Sequence, residues 1–589
     1  MSTLAVSTKV STSRKRVANV RHRTLTMAKA RSLIVLGLFA LVAMAALLRI
    51  MWLGLFAEGG RHFSLSDALM PARGEIVDRN GEVLARDFSA YALWFKPDEM
   101  EDGPPLVHDR KEVARALVRI FPDLSYSDVL KKLGSKKGVH LRERILPEEA
   151  NQVHALGEPA IQIPREPDRI YPQGSMAAHV LGYVDQDDGG QVGMESYFEK
   201  ELTSDQSRMQ PAVLSIDARV QGALEDELGR GMALSNAKGA AGVILDVDTG
   251  EVLALASLPS FNPNKVLAKD KWVPEELARQ GDTANVFNRV TNQVYELGST
   301  FKPITVAAAI DAGTIRDLGK RYSTAPVQVG RFSIKDGHAM GGALNPPEIL
   351  IHSSNPGTAR IADELGPARL KSTMEKLGMN ERPYIELPAR GFPLWPKSNP
   401  DGNWPRITTM TVAFGHGIAV TPLHLASAYA ALVNGGVWRP ATLKKLSPKE
   451  VPAGRRVFKA ATSAKMRQML RMIVVYGTGK KANAPGFRVG GKTGSAEKPG
   501  VGGYRRSSLV STFAAAFPMD RPRYVVIAML DEPQGTVATS GQRTAAWNAA
   551  PVVGRVVPRI GPILGIMPDE SRDVDITDLR PLIPGGSAH

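Results

Sequence analysis

At 589 residues, 43% hydrophobic and 23% charged, the chain is long enough for several domains and too apolar for disorder to be the default. It has no cysteine, which excludes disulfides, thiolate metal sites and cysteine nucleophiles. The net charge of +15 is concentrated: eight Lys/Arg fall in residues 1–31, and no Asp or Glu precedes Glu58. About half the excess is therefore one basic tail and not a footprint for nucleic acid, which is not an expected partner.

After that tail, Ser32 to Leu48 carries no charge, and beyond Arg49 the apolar character resumes from Ile50 to Ala57. A helix over the first stretch spans roughly 26 Å, and one continuing to Ala57 roughly 39 Å, enough for a bilayer core. Arg49 can snorkel to the interface. The excess of positive charge puts residues 1–31 in the cytoplasm and everything from Glu58 onward outside the inner membrane. Ala43-Met44-Ala45 has the small-x-small form of a signal-peptide cleavage site, but the apolar run continues past it. The expectation is an uncleaved, single-pass anchor over 32–57.

Residues 58–210 are polar and mixed. In Arg73-Gly74-Glu75-Ile76-Val77-Asp78-Arg79-Asn80-Gly81-Glu82-Val83-Leu84-Ala85, Asn-Gly separates two short β-prone runs, a hairpin signal. Glu112 to Ile120 and Tyr126 to Leu133 have helical apolar spacing, and Gly193-Met194-Glu195 lies among Gly/Asp turns. No catalytic pattern appears here, so the segment reads as a spacer and docking module, a pedestal.

From Pro211 the pattern changes. Ala212 to Asp217 reads as a strand and Ala218 to Leu228 as a helix. Ala241–Val247 and Glu251–Ser257 read as a buried hairpin about Asp248-Thr249-Gly250. Glu296-Leu297-Gly298-Ser299-Thr300-Phe301-Lys302-Pro303 is a turn feeding an apolar helix, with Ser299 at an N-cap or first-turn position and Pro303 in the first turn. Thr421 to Val433 is a second apolar helix, closed by Asn434-Gly435-Gly436. Arg488 to Gly494, Ser511 to Phe517 and Tyr524 to Leu530 form a second strand group. Strands at both ends with helices between predict one α+β domain over 211–565, its antiparallel sheet closed across distant segments. Residues 566–589 read as a polar, peripheral tail.

The chemistry begins with Ser299 and Lys302. Three residues apart, they share a helical face, so their side-chain tips can meet. A serine is a weak nucleophile until a base takes its proton, and a lysine with a lowered pKa can be that base. Downstream follow Ser353-Ser354-Asn355 and Lys492-Thr493-Gly494. S-x-x-K, S-x-N and K-T-G in this order form the motif set of penicillin-binding proteins and class A β-lactamases. The glycines around Lys492 would let a substrate backbone lie alongside the strand. Ser353 suits a proton relay, Asn355 a substrate amide, and Lys492 with Thr493 a carboxylate. There is no H-E-x-x-H arrangement, His416 reads as a loop histidine, and Gly477-Thr478-Gly479-Lys480 lacks the first glycine of a phosphate loop. Neither a metal nor another cofactor is expected.

With tail, anchor, hairpin and the three motifs in order, the whole chain resembles a class B penicillin-binding protein of the division-specific branch. Arg73 to Gly81, Gly193-Met194-Glu195 and Phe414-Gly415-His416-Gly417-Ile418-Ala419-Val420-Thr421-Pro422-Leu423 match stretches of that family. The resemblance implies a mostly β, elongated pedestal of the dimerisation type and a serine β-lactamase-like transpeptidase domain. It makes Ser299 the acylated nucleophile, Lys302 its base and Ser353 a further catalytic residue, with Asn355, Lys492, Thr493 and Gly494 binding substrate. The amide of Ser495 would join that of Ser299 in an oxyanion hole; the family usually has threonine there. Tyr504 matches an aromatic residue of the cleft. The implied substrates are peptidoglycan stem peptides, the implied inhibitors β-lactam antibiotics, and the implied partners an FtsW-type glycosyltransferase and other division proteins. An elongation-specific transpeptidase, a β-lactamase and a non-catalytic scaffold are the rivals. The short pedestal disfavours the first, the anchor and pedestal the second, and the intact motifs the third.

Overall fold

The computed structural model describes residues 27, 29–49, 73–100, 104–185, 189–279, 282–338, 340–500 and 503–583. Most of the basic tail and the continuation Ile50–Ala57 of the expected anchor lie outside them. The chain divides into two compact units, residues 1–70 and 71–589. In the first, helix α1 (Lys29–Arg49) has 21 residues and a mean hydropathy of 2.3, long and apolar enough to cross a membrane.

The second unit begins with the expected hairpin. Strand β1 (Ile76–Val77) pairs antiparallel with β2 (Val83–Phe95). Gly81 supplies the left-handed residue at φ +91°, and Asp78 Oδ1 accepts from the backbone N–H groups of Asn80 (2.7 Å) and Glu82 (2.9 Å). Both expected helices form, α2 (Arg110–Ile120) and α3 (Tyr126–Lys132). They bury Leu117, Phe121 and Val129 against Leu93 and Phe95 of β2 and Leu141 of β3 (Val139–Ile145). Strand β4 (Arg165–Ile170) pairs with β2. Helix α4 (Gly193–Tyr197) carries Glu195, which is fully buried. Its carboxylate accepts from Arg73 Nε (2.7 Å), Arg169 Nε (2.8 Å) and the hydroxyl of Tyr171 (3.2 Å).

The strand expected over Ala212–Asp217 is shorter: β5 is Ala212–Val213, parallel to β1. Beyond it the polar residues hydrogen-bond elsewhere than in a ladder. Ser215 Oγ donates to the carbonyls of Val252 (2.7 Å) and Thr442 (3.1 Å), and Asp217 caps α5 (Ala218–Leu234). The β1–β2 turn reaches the same cap. Asp78 Oδ2 accepts from Ala218 N–H (3.0 Å), and Asn80 Nδ2 donates to Asp217 Oδ2 (3.0 Å).

The central sheet contains β6 (Gly239–Asp246), β7 (Val252–Leu258), β8 (Gly490–Gly500), β9 (Gly503–Phe517) and β10 (Tyr524–Asp531). Their order is β7-β6-β10-β9-β8, antiparallel throughout, so the two strand groups merge between β6 and β10. Period-2 alternation divides the faces. Val243, Leu245, Val525 and Ile527 enter the larger core, whereas Ile244, Val526, Ala528 and Phe513 join Leu224, Leu228, Val552 and Val556 in the second. Those last four belong to α5 and α9 (Ala549–Ile563). The C-terminal tail is not peripheral, contrary to the sequence reading. Leu579 is buried in the larger core with Val574, Ile576 and Leu582 against it, and Asp573 pairs with the nearly buried Arg471 at 2.6 Å. Its acidic residues meet basic groups that would otherwise lack a counter-charge.

Candidate active site

Gly298, in the left-handed region at φ +56°, turns the chain into a 3-10 segment, Gly298–Phe301, which runs directly into helix α6 (Lys302–Asp311). Ser299 sits in that tight turn and caps nothing, and Pro303 occupies the first helical turn, where no N–H is needed. Ile304 to Ala309 are buried, anchoring the helix in the core, and Lys302 is drawn inside with them at 0% exposure.

The Lys302 ammonium donates to the carbonyl of Ser353 and, at 3.1 Å, to Ser353 Oγ. The expected Ser299–Lys302 meeting is not made: among the described residues no hydrogen bond joins the two side chains, and Ser353 offers the ammonium two acceptors instead. Ser353 ends helix α7 (Pro346–His352) in the left-handed conformation, φ +66°. Lys492 approaches from β8 and donates to the same Ser353 Oγ at 2.9 Å, and to the Thr493 carbonyl at 3.1 Å. A hydroxyl has two acceptor sites and one proton. With both acceptor sites taken by N–H groups of the two lysines, the Ser353 O–H proton is left to donate outward.

Both lysines are fully buried and share one hydroxyl. Burial first, and the neighbouring Lys492 second, hold Lys302 well below the usual lysine range, with Asp336 opposing. Burial pushes Lys492 down to about 7. Asp336 also fixes the second motif: its carboxylate accepts from Ser354 Oγ (2.8 Å) and the Asn355 N–H (2.6 Å). Asn355 opens helix α8 (Asn355–Leu365) with its side-chain amide on the Lys335 carbonyl at 3.3 Å.

Strand β8 is the sheet edge beside the Ser299 turn. A Cβ on Gly494 would lie 2.4 Å from the Leu297 carbonyl oxygen and 2.7 Å from Thr300 Cγ2, so only glycine lets strand and turn touch here. Thr493 Oγ1 shares a hydrogen bond of 2.7 Å with Thr478 Oγ1, and Ser495 Oγ accepts from Ala545 N–H at 3.0 Å. The site thus brings together Ser299, Lys302, Ser353, Lys492, Thr493 and Gly494. Tyr504 lies to one side, its hydroxyl on both oxygens of Glu296 (3.0 and 2.9 Å), and the Gly417 N–H donates to Glu296 Oε1 at 3.0 Å.

Sequence reasoning missed Asp336, Glu296 and Thr478. Thr478 sits in the very run rejected as a phosphate loop, and Glu296 is three residues before Ser299. Asp336 carries no local signal; its role exists only through space.

The chain matches the model of the penicillin-binding protein transpeptidase domain over residues 240–553, and that of the penicillin-binding protein dimerisation domain over 68–224. It is 38% identical to the probable peptidoglycan D,D-transpeptidase FtsI of Caulobacter vibrioides, over 91% of this chain and 89% of that one. It is 30% identical to the peptidoglycan D,D-transpeptidase FtsI of Escherichia coli K12, over 90% and 91%. Among solved structures it resembles penicillin-binding protein 3 of Mycobacterium tuberculosis complexed with aztreonam, with TM-score 0.64, 26% identity, and 85% and 98% of the two chains covered. The ampicillin complex of that protein matches at TM-score 0.64 and 26% identity, covering 86% and 98%. Near-complete coverage in both directions, by an enzyme sequence on one side and a fold on the other, leaves one conclusion: the chain belongs to the class B penicillin-binding proteins.

Proposed function

We propose that the protein is a serine D,D-transpeptidase that cross-links stem peptides of septal peptidoglycan and is acylated by β-lactams at Ser299. One observation carries the reading: two buried lysines with lowered pKa, one of them a turn beyond Ser299, converge on Ser353 Oγ against a glycine-paved sheet edge. The donor peptide adds as a strand along β8, its terminal carboxylate on Lys492 and Thr493 and its amide near Asn355. Neutral Lys302 takes the Ser299 proton as Oγ attacks the penultimate D-Ala carbonyl. The Ser353 hydroxyl relays a proton to the departing D-Ala nitrogen. The Ser299 and Ser495 N–H groups hold the oxyanion, each worth on the order of 10²–10³ in rate. The amine of a neighbouring stem peptide then takes the acyl group.

The division role rests on the relatives named FtsI, and the β-lactam role on the aztreonam and ampicillin complexes. The organisation proposed is cytoplasmic tail 1–31, inner-membrane anchor 32–57, pedestal 58–210, transpeptidase 211–565 and C-terminal tail 566–589. Pedestal and anchor would meet an FtsW-type glycosyltransferase and other division proteins. A reporter active only outside the inner membrane, fused after residue 60, should give signal; silence would reverse the topology.

Labelling with a fluorescent penicillin tests the chemistry. Ser299→Ala should abolish the covalent adduct, and mass spectrometry should place the wild-type adduct on the Ser299 peptide. Lys302→Arg should slow acylation by about 10²–10⁴, because guanidinium does not give up its proton near neutrality. An adduct on another serine, or full-rate acylation by Lys302→Arg, would overturn the assignment.

A further inference from the structure

Glu296 has no part in the chemistry above, yet it lies three residues before Ser299 on the segment that leads into the nucleophile's turn. That segment is fixed on both sides. Tyr295 N–H donates to the Val420 carbonyl at 2.9 Å, and Gly298 N–H to the Gly415 carbonyl at 3.2 Å. A Cβ on Gly415 would be 2.2 Å from the Gly298 carbonyl oxygen, so the Gly415–Gly417 turn is pressed onto the base of the Ser299 turn. The Glu296 carboxylate therefore belongs to the wall of the same cleft.

Its surroundings hold neutral donors only. Both oxygens accept from the neutral Tyr504 hydroxyl and one from the Gly417 N–H, but among the described residues no Lys, Arg or His forms an ion pair with it. Removing charge from water without a counter-ion is costly, and such groups normally find one. Buried Glu195 has Arg73 and Arg169, and nearly buried Glu532 has Lys498, whereas buried Asp78, with no ion pair among the described residues, accepts four hydrogen bonds instead. Two neutral donors leave about one acceptor site on the carboxylate unused. Burial also lifts the Glu296 carboxyl above the usual range, against the pull of its two donors, as expected of a charge lacking its partner. The His416 ring, 5.9 Å from that of Tyr504, is held below the usual histidine range by burial and so stays neutral, supplying no cation.

The acyl-transfer reaction brings a cation to this cleft in its second half. The acceptor amine arrives as an ammonium and must reach the ester on Ser299 from a side not occupied by β8. We propose that Glu296, oriented by Tyr504 and Gly417, is the recognition site for the acceptor's ammonium group. This inference rests on the transpeptidase reading and deepens it. One proton of the ammonium goes to bulk water. The neutral nitrogen forms the C–N bond to the ester carbonyl as the C–Oγ bond to Ser299 breaks, and the proton released from nitrogen passes through Lys302 to Oγ.

The test uses the full-length protein in detergent, acylated beforehand with a thioester of an N-acyl-D-alanine so that the first half-reaction drops out. Two acceptors compete with water for the acyl-enzyme: a lysine-bearing peptide, an ammonium at neutral pH, and hydroxylamine, which is uncharged there. Glu296→Gln keeps the shape and the hydrogen bonds from Tyr504 and Gly417 but removes the charge. It should lower the partition towards the lysine peptide about tenfold, the scale of one charge-assisted hydrogen bond, and leave that towards hydroxylamine unchanged. Glu296→Asp should recover part of the lysine-peptide partition. Equal partition of both acceptors in wild type and Glu296→Gln would overturn the proposal, as would an equal fall for both, which marks a purely structural role. Failure of the wild type to form an acyl-enzyme would instead sink the transpeptidase reading.

Discussion

Lys302 and Lys492 are both fully buried beside Ser353 and are needed in opposite protonation states. Lys302 must be neutral to take the Ser299 proton, so acylation should rise as pH climbs through its lowered pKa. Lys492 must be charged to hold a carboxylate, so the rate should fall as pH passes its value of about 7. Penicillin acylation rates of the free enzyme should therefore fall on the alkaline side of about pH 7. A bound carboxylate stabilises the Lys492 ammonium, so at saturating penicillin the descending limb should move upward. A rate that climbs monotonically to about pH 9 would show that Lys492 acts without its charge. At this scale the sequence was informative where chemistry is local. Ser299, Lys302, Ser353, Lys492 and Thr493 were all marked by spacing within motifs. What spacing could not give was the partner of each group. The i, i+3 geometry suggested that Lys302 meets Ser299, whereas the third party, Ser353, wins by presenting two oxygens. Asp336 and Glu296 act through contacts that no linear pattern records.

Strand β8 is positioned by what it lacks. Gly494 lies against the Leu297 carbonyl, so Gly494→Val, whose first added carbon would fall 2.4 Å from that oxygen, should push strand and turn apart. A displacement of about 1 Å between donor strand and nucleophile corresponds to roughly 10² in acylation rate. Penicillin labelling should slow by that factor while the circular dichroism spectrum stays native; an unchanged rate would mean that the contact does not set the register. Most elements were legible because their periods are strong: the hairpins, α5, the Pro422–Val433 helix and the three C-terminal strands all fall where apolar spacing put them. The misreadings share a cause. Ala212–Asp217 alternates like a strand, but Ser215 and Asp217 spend their polar groups on the carbonyls of Val252 and Thr442 and on a helix cap. The tail looked peripheral because it is polar, although Val574, Ile576 and Leu579 are spaced to dip into the core between acids that pair with Arg471 and Lys465.

At the scale of the whole molecule, residues 71–589 behave as one unit, and the charge cluster around Glu195 fastens its start. Arg73, 122 residues earlier in the chain, and Arg169 both spend a guanidinium on this fully buried carboxylate. Glu195→Ala would leave Arg73 with Glu199 alone and Arg169 with Asp87 alone, at a cost of about 1–3 kcal/mol for the lost charged hydrogen bonds. Chemical denaturation of the residue 71–589 unit should show this as a lower midpoint, with penicillin labelling retained below it. A shift below about 1 kcal/mol would mean that water replaces the carboxylate.

The clasp in which Asp78 and Asn80 complete the cap of α5 bears on how such chains can be recombined. A crossover near residue 210 would pair one parent's hairpin turn with another parent's helix start, and the Ala218 N–H would lose Asp78 and the Asp217 carboxylate would lose Asn80 unless both parents carried the same residues. Inherited together, the turn and the helix start form one unit of exchange that straddles the apparent domain boundary. Gene fragments should therefore survive shuffling when they break after α5, within the loop before Gly239, rather than where composition alone would cut.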